Sequence, residues 1–138
     1  MIVVDTNVIL DISGNEPEWR DWSAERLATA LEPGPAVIND VVFAELCARQ
    51  TDVEAVEALL LDFRLTCVPM SRRALFLAGK AYARYRKAGG TKLNVLPDFF
   101  IGAQAVDLGA PLLTRDTRRY RSYFPELELI APQTPGIG

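Results

Sequence analysis

The chain has 138 residues and a mass of 15.3 kDa, the usual size of one domain and enough to bury a hydrophobic core. Apolar residues make up 49% and charged residues 24%, and the net charge is only −3, so the composition excludes disordered and membrane-spanning classes. The absence of histidine excludes Ser-His-Asp and Cys-His nucleophiles and His-based zinc sites, which leaves carboxylates and hard metal ions as the leading means of catalysis.

Short apolar runs alternate with helical patterns along the whole chain. The predicted strands lie at 2–4, 36–39, 65–68, 111–114 and 127–131. The predicted helices lie at 8–12, 19–31, 40–49, 51–61, 72–88 and 97–108, with a short helical turn from 116. This alternation predicts a parallel, doubly wound α/β sheet with helices on both faces. We expect a single domain over residues 1–131, followed by a flexible tail at 132–138.

Local signals define several helix ends. Thr51 and Ser71 are placed to cap the helices that follow them. Pro97 and Gly109 bracket another helix, as expected from the preference for proline at the start and glycine after the end.

The N-terminus shows no targeting signal, because no basic region precedes its short apolar segment and no apolar run is long enough to span a membrane. Cys47 and Cys67 both lie in apolar surroundings and are predicted to be buried thiols in a reducing compartment. These features favour a cytoplasmic protein that does not associate with membranes.

Charge is distributed unevenly between the two halves of the chain. Residues 1–62 contain thirteen acidic residues and three arginines, whereas residues 63–138 contain five acidic and twelve basic residues. One half could therefore present a basic surface to a polyanion while the other supplies acids; alternatively, the opposite charges interleave after folding.

Acidic residues occur where the predicted strands and helices approach one edge of the sheet. Asp5 and Asp116 follow strands, Glu45 lies in the helix after the second strand, and Asp98 is in the first turn of a helix running antiparallel to the next strand. Because ligands bind outside the carboxyl ends of parallel strands, we expect these four carboxylates to converge. Each has an ordinary alternative as a helix cap, a turn former or a surface acid, so the hypothesis depends on their conjunction.

Four crowded carboxylates repel one another and require compensation. Arg115 is the adjacent cation in the sequence and cannot neutralise four charges alone. Mg²⁺ or Mn²⁺ could, since both prefer oxygen ligands. Thr6, Asn7 and Thr114 are candidates to support the carboxylates or a metal-bound water, although turn formation would explain them as well. Five further aspartates are most simply explained as helix caps or solvated residues, with Asp40 the best candidate among them for a supporting role: Asp11, Asp40, Asp52, Asp62 and Asp107.

Two segments mix basic residues with tyrosine, TRRYR at 117–121 and ARYRKAGGTK at 83–92. Such a mixture suits phosphate contact and base stacking, and it also occurs on ordinary solvated helix faces. The candidate RNA-binding residues are Arg115, Arg118, Arg119 and Arg121.

The sequence resembles the PIN-domain ribonucleases, specifically the VapC-type toxins of type II toxin–antitoxin pairs. The similarity is carried by four motifs in order: VVDTNVIL at 3–10, AELC at 44–47, LPDFFIGAQA at 96–105 and LLTRDTRRY at 112–120. Each motif alone is weakly specific, whereas the four at this spacing are strongly so.

The resemblance implies a three-layer α/β/α fold with a five-stranded parallel sheet in the order 3-2-1-4-5. It implies a Mg²⁺-dependent endoribonuclease whose catalytic acids are Asp5, Glu45, Asp98 and Asp116, with Asp5, Asp98 and Asp116 assigned to the metal. It further implies a homodimer and a cognate antitoxin. Two other functions stay open: a phosphatase with Asp5 as nucleophile, against which Asn7 stands where a second acid is expected, and a catalytically silent module that binds RNA or protein.

Overall fold

The computed structural model describes residues 1–133, in which five short strands alternate with helices. The strands are β1 (Ile2–Val4), β2 (Ala36–Ile38), β3 (Leu65–Cys67), β4 (Leu112–Leu113) and β5 (Leu129–Ile130). The helices are α1 (Thr6–Ser13), α2 (Arg20–Leu31), α3 (Asp40–Cys47), α4 (Val53–Asp62), α5 (Arg72–Lys87), α6 (Leu96–Leu108) and α7 (Arg118–Tyr123). The predicted flexible tail falls largely on residues 134–138, which lie outside the described residues.

All strand pairs are parallel and the order is β3-β2-β1-β4-β5, which confirms the predicted sheet. From β1 the chain proceeds outward to β2 and β3, then returns across the sheet to β4 on the other side of β1. With right-handed crossovers, this reversal places the helices of the two halves on opposite faces. The carboxyl ends of β1 and β4 therefore flank the switch point where such sheets bind ligands.

The core lies around the central strands, whose side chains are buried on both faces. Val3, Val4, Leu112 and Leu113 are completely inaccessible, as expected for continuous apolar strands in a parallel sheet. On one side, α5, α6 and α7 meet through an aromatic cluster of Tyr82, Tyr85, Phe99 and Tyr123, with ring centroids 5.3–6.1 Å apart. These contacts hold the short α7 against the body of the domain.

Most predicted boundaries agree with the structure to within two residues, and helix-capping residues explain some of the differences. Asn39 ends β2 by capping α3, its side chain accepting a hydrogen bond from the Val42 amide at 3.0 Å. The prediction that Thr51 caps α4 was wrong, because Asp52 accepts the Ala55 amide at 2.8 Å. Ser71 caps α5 as predicted. Gly109 ends α6 in the left-handed conformation with φ 63°, which glycine adopts without strain.

Two other expectations concern thiols and membranes. Cys47 and Cys67 are free, but each is only partly buried rather than fully buried as predicted. No helix among the described residues is long and apolar enough to cross a membrane.

Candidate active site at the carboxyl edge of the sheet

Asp5 is the buried centre of the candidate site. It directly follows β1, its amide donates to the Leu113 carbonyl at 2.9 Å, and only 5% of the residue is exposed. Although Asp5 occupies the N-cap position of α1, it makes no side-chain capping bond. The alternative interpretation as a turn former therefore does not account for its placement.

Three side chains converge on one oxygen of this carboxylate. Thr114 and Tyr120 each donate a hydroxyl to Oδ2 at 2.8 Å, and the Asn7 amide nitrogen lies 3.4 Å from the same atom. Asn7 also lies 3.3 Å from the Thr114 hydroxyl, which joins α1 to the loop after β4. The predicted supporting residues Asn7 and Thr114 thus contact Asp5 directly.

The environment of Asp5 disfavours its charged form. Burial raises the pKa of Asp5 to about 6, the hydrogen bonds from Thr114 and Tyr120 oppose this rise, and the negative charge of Asp98 adds to it. Strongly perturbed carboxyls that combine burial with a specific charged neighbour are concentrated at functional sites.

Asp98 links the remaining acids electrostatically. Burial raises its pKa, contact with Arg119 lowers it, and the charges of Asp116 and Glu45 raise it. Asp98 therefore interacts with all three other acids, since its charge also acts on Asp5. The structure accordingly brings the four predicted acids into one electrostatic neighbourhood.

The acids differ in what surrounds them. Glu45 is half-buried and accepts a hydrogen bond from the Thr6 hydroxyl at 2.6 Å, which gives the predicted supporting residue Thr6 a partner. Asp116 is exposed and accepts the Arg118 amide at 3.3 Å, at the beginning of α7. Asp98 is about one quarter exposed and forms an ion pair with Arg119, N to Oδ2 2.9 Å.

Arg115, the cation adjacent to these acids in the sequence, does not pair with any of the four. The Arg115 side chain turns to Asp11, with Nε 2.8 Å from Oδ2, and lies over the ring of Trp19. Asp11 was predicted to be a cap or solvated acid, yet it is only 2% exposed and also accepts the Ser23 hydroxyl at 2.8 Å. A carboxylate placed inside the apolar VILDI run was the signal that pointed to such a buried partner.

Of the other three predicted RNA-binding arginines, two are exposed and one lies beside the acidic site. Arg118 and Arg121 are exposed on α7, whereas Arg119 is half-buried against Asp98 and its guanidinium lies 5.9 Å from the Tyr85 ring centroid. The base-stacking interpretation is wrong for Tyr120, the tyrosine of TRRYR, because the residue is only 1% exposed and its hydroxyl donates to Asp5. The sequence did not predict this contact with Asp5. No periodic pattern distinguishes Tyr120 from an ordinary core tyrosine.

The donor set suits a hard divalent cation, because the carboxylates of Asp5 and Asp98 lie within electrostatic reach of each other and carboxylate oxygens are preferred ligands of Mg²⁺. Within residues 1–133, no three acidic or cysteine side chains stand close enough to enclose a metal ion by themselves. Mg²⁺ is commonly held by one or two carboxylates, with waters and substrate phosphate completing its six positions. The residues therefore fit a partly hydrated ion better than a closed protein cage.

The model of the PIN domain family matches residues 2–125. The chain belongs to the PIN domain family. No curated protein sequence matches this PIN domain.

Solved structures similar to this PIN domain include toxin–antitoxin proteins. VapBC-1 from nontypeable Haemophilus influenzae is 25% identical, with a TM-score of 0.72, covering 95% of this chain and 98% of that one. VapBC2 from Rickettsia felis, solved with a DNA fragment from its promoter, is 23% identical, with a TM-score of 0.73 and the same coverage. VapBC-5 from Mycobacterium tuberculosis, of the VapBC family of toxin–antitoxin systems, is 17% identical, with a TM-score of 0.57, covering 96% and 97%.

Proposed function

We propose that this PIN domain is a Mg²⁺-dependent endoribonuclease and the toxin of a type II toxin–antitoxin pair. The observation that carries the proposal is that Asp98 lies within electrostatic reach of the buried Asp5 and of two further acids, Glu45 and Asp116, at the switch point of the sheet. Structural similarity to VapBC proteins supports the same conclusion, because the likeness extends over nearly the whole chain.

In the proposed site, Asp5 and Asp98 would hold the cation directly, and Asp116 and Glu45 would complete the metal shell or orient the attacking water. A bound divalent ion would supply a more acidic water and neutralise the charge that builds on the phosphate. The hydrogen bond from Thr6 would hold the Glu45 carboxylate in place for that role. Water adds to phosphorus as the ribose 3′-oxygen leaves and takes up a proton, so the products carry a 5′-phosphate and a 3′-hydroxyl.

The α7 segment supplies the proposed RNA contacts. Arg118 and Arg121 lie on its exposed side next to Asp116, where guanidinium groups can pair with phosphate oxygens. Arg115 is a weaker candidate than the sequence indicated, because its side chain is already paired with Asp11. The basic second half of the chain thus contributes both the RNA contacts and a partner for Asp98.

The proposed protein partner is a cognate antitoxin, and the proposed assembly is a homodimer acting in the cytoplasm. The similar structures include members of toxin–antitoxin systems, which supports an antitoxin as partner.

Two observations favour a second candidate, a PIN module that binds RNA or protein without cleaving it. Asp98, an intended metal ligand, is paired with Arg119, and no three acids enclose an ion within the described residues. The phosphatase alternative is weaker, since position 7 holds an asparagine and one Asp5 oxygen is already occupied by hydroxyl donors.

The test incubates the purified protein with a mixture of RNAs. Separate reactions contain Mg²⁺, Mn²⁺ or EDTA. The nuclease predicts metal-dependent cleavage to 5′-phosphate ends, lost in EDTA and in Asp5→Asn. Asp62→Asn is the matched control, because Asp62 is an exposed acid at the end of α4. RNA binding without cleavage in every metal would favour the silent module, and a phosphoenzyme trapped on Asp5 would favour the phosphatase.

A further inference from the structure

Tyr120 connects the short α7 to the buried carboxylate of Asp5. Its ring is part of the hydrophobic core and only 1% of the residue is exposed, while its hydroxyl donates to Asp5 Oδ2 at 2.8 Å. The two residues are separated by 115 positions in the sequence. Their contact therefore depends on how α7 docks rather than on any local structure.

The hydrogen bonds to Asp5 are unequal between its two oxygens. Thr114 and Tyr120 both donate at 2.8 Å to Oδ2, and Asn7 approaches that same atom at 3.4 Å. A carboxylate oxygen has two lone pairs, so two short bonds fill its capacity. The Thr6 backbone also donates to this carboxylate. Among the described residues, no side chain donates to Oδ1, so even with the Thr6 amide that oxygen keeps at least one lone pair for an incoming cation.

We propose that Tyr120 is a positioning residue: with Thr114, it fixes Oδ2 so that Oδ1 of Asp5 is directed at the metal. This inference rests on the proposed function, since it assumes that Asp5 is a metal ligand. Tyr120 acts only through Asp5 and does not touch the substrate. Groups that hold a metal ligand in place typically affect metal affinity or activity by 10–100-fold when removed.

A purely structural role makes a different prediction. A buried tyrosine hydroxyl usually finds some hydrogen-bond partner, so the contact with Asp5 could serve stability alone. In that case Tyr120→Phe would lower the melting temperature and leave metal affinity unchanged. Tyr85 offers the matched control, because its largely buried hydroxyl accepts the Lys92 amide at 2.9 Å and contacts no acid of the site.

The experiment measures Mn²⁺ binding by calorimetry to the wild type, Tyr120→Phe and Tyr85→Phe, with circular dichroism to confirm folding. The expected result is Mn²⁺ affinity about 10–100-fold weaker in Tyr120→Phe and unchanged in Tyr85→Phe. In RNA cleavage, the Mg²⁺ concentration for half-maximal rate should rise in Tyr120→Phe, while the KM for RNA at saturating metal stays the same.

Separate outcomes refute the two levels of the proposal. A wild type that binds no Mn²⁺ would refute the metal site itself, and with it the role of Tyr120. If the wild type binds Mn²⁺ and Tyr120→Phe binds it with the same affinity, the positioning role alone is refuted. If Tyr120→Phe does not fold, Thr114→Val removes the other hydroxyl from Oδ2 and must weaken Mn²⁺ binding in the same direction.

Discussion

Replacing Asp5 by asparagine should stabilise the metal-free protein at neutral pH. The pKa of Asp5 is raised from 3.8 to about 6, so the folded state retains its proton to a higher pH than the unfolded state. Stability associated with this group is therefore fully present below pH 3.8 and is lost as the pH rises through about 6. Each pKa unit corresponds to 1.36 kcal/mol, so ionisation of Asp5 lowers the free energy of unfolding by about 3 kcal/mol at a pH well above its folded pKa.

Asparagine carries no charge, and its amide oxygen can still accept the hydroxyls of Thr114 and Tyr120. Urea unfolding in EDTA at pH 4, 6 and 8 measures the difference. We expect the free energy of unfolding of Asp5→Asn to exceed that of the wild type by up to about 3 kcal/mol at pH 8. This gain should disappear near pH 4. A destabilised variant at pH 8, or a gain that does not vary with pH, would refute the assigned cause of the shift.

Three further predictions test neighbouring contacts. Asp11→Asn should lower the free energy of unfolding by roughly 2 kcal/mol in urea at pH 8, because it removes the charged 2.8 Å partner of the half-buried Arg115; equal stability would contradict this pairing. Mg²⁺ at about 100 times its Kd should raise wild-type stability by roughly 2.7 kcal/mol and leave Asp5→Asn unchanged in thermal unfolding. Arg119→Met should tighten Mn²⁺ binding in calorimetry, since Arg119 occupies Asp98, and should weaken RNA binding in filter assays; weaker Mn²⁺ binding would reverse that assignment.

The sheet could be predicted because its signals are local and redundant. Continuous apolar strands separated by amphipathic helices specify a parallel α/β sheet, and the order 3-2-1-4-5 came from the motifs resembling PIN domains. Asp5 could be located from the sequence because a residue that follows a parallel strand must lie at its carboxyl edge. The placement of acids at an edge of the sheet therefore requires only the topology.

Side-chain pairing could not be predicted in the same way. Arg115 neighbours Asp116 in the sequence but pairs with Asp11, which is 104 positions away, and it is Arg119 that reaches Asp98. These choices depend on the rotation of α7 and on the path of the loop before it. Sequence adjacency carries no information about either, because neighbouring residues on a turn or helix point in different directions.

The sequence predicts that four close acids require a divalent ion, but in the structure each acid also has other means of compensation. Asp98 is paired with Arg119, Glu45 accepts the Thr6 hydroxyl, and Asp116 remains in water. Asp5 has two short hydroxyl bonds and a pKa of about 6, so its proton can be retained in mildly acidic solution. Each acid therefore has a protein or solvent partner of its own, and Arg119 contacts only Oδ2 of Asp98, which leaves the other oxygen of that carboxylate for a cation. Because these partners come from the protein and from water, we expect metal dependence to be a property of catalysis more than of folding.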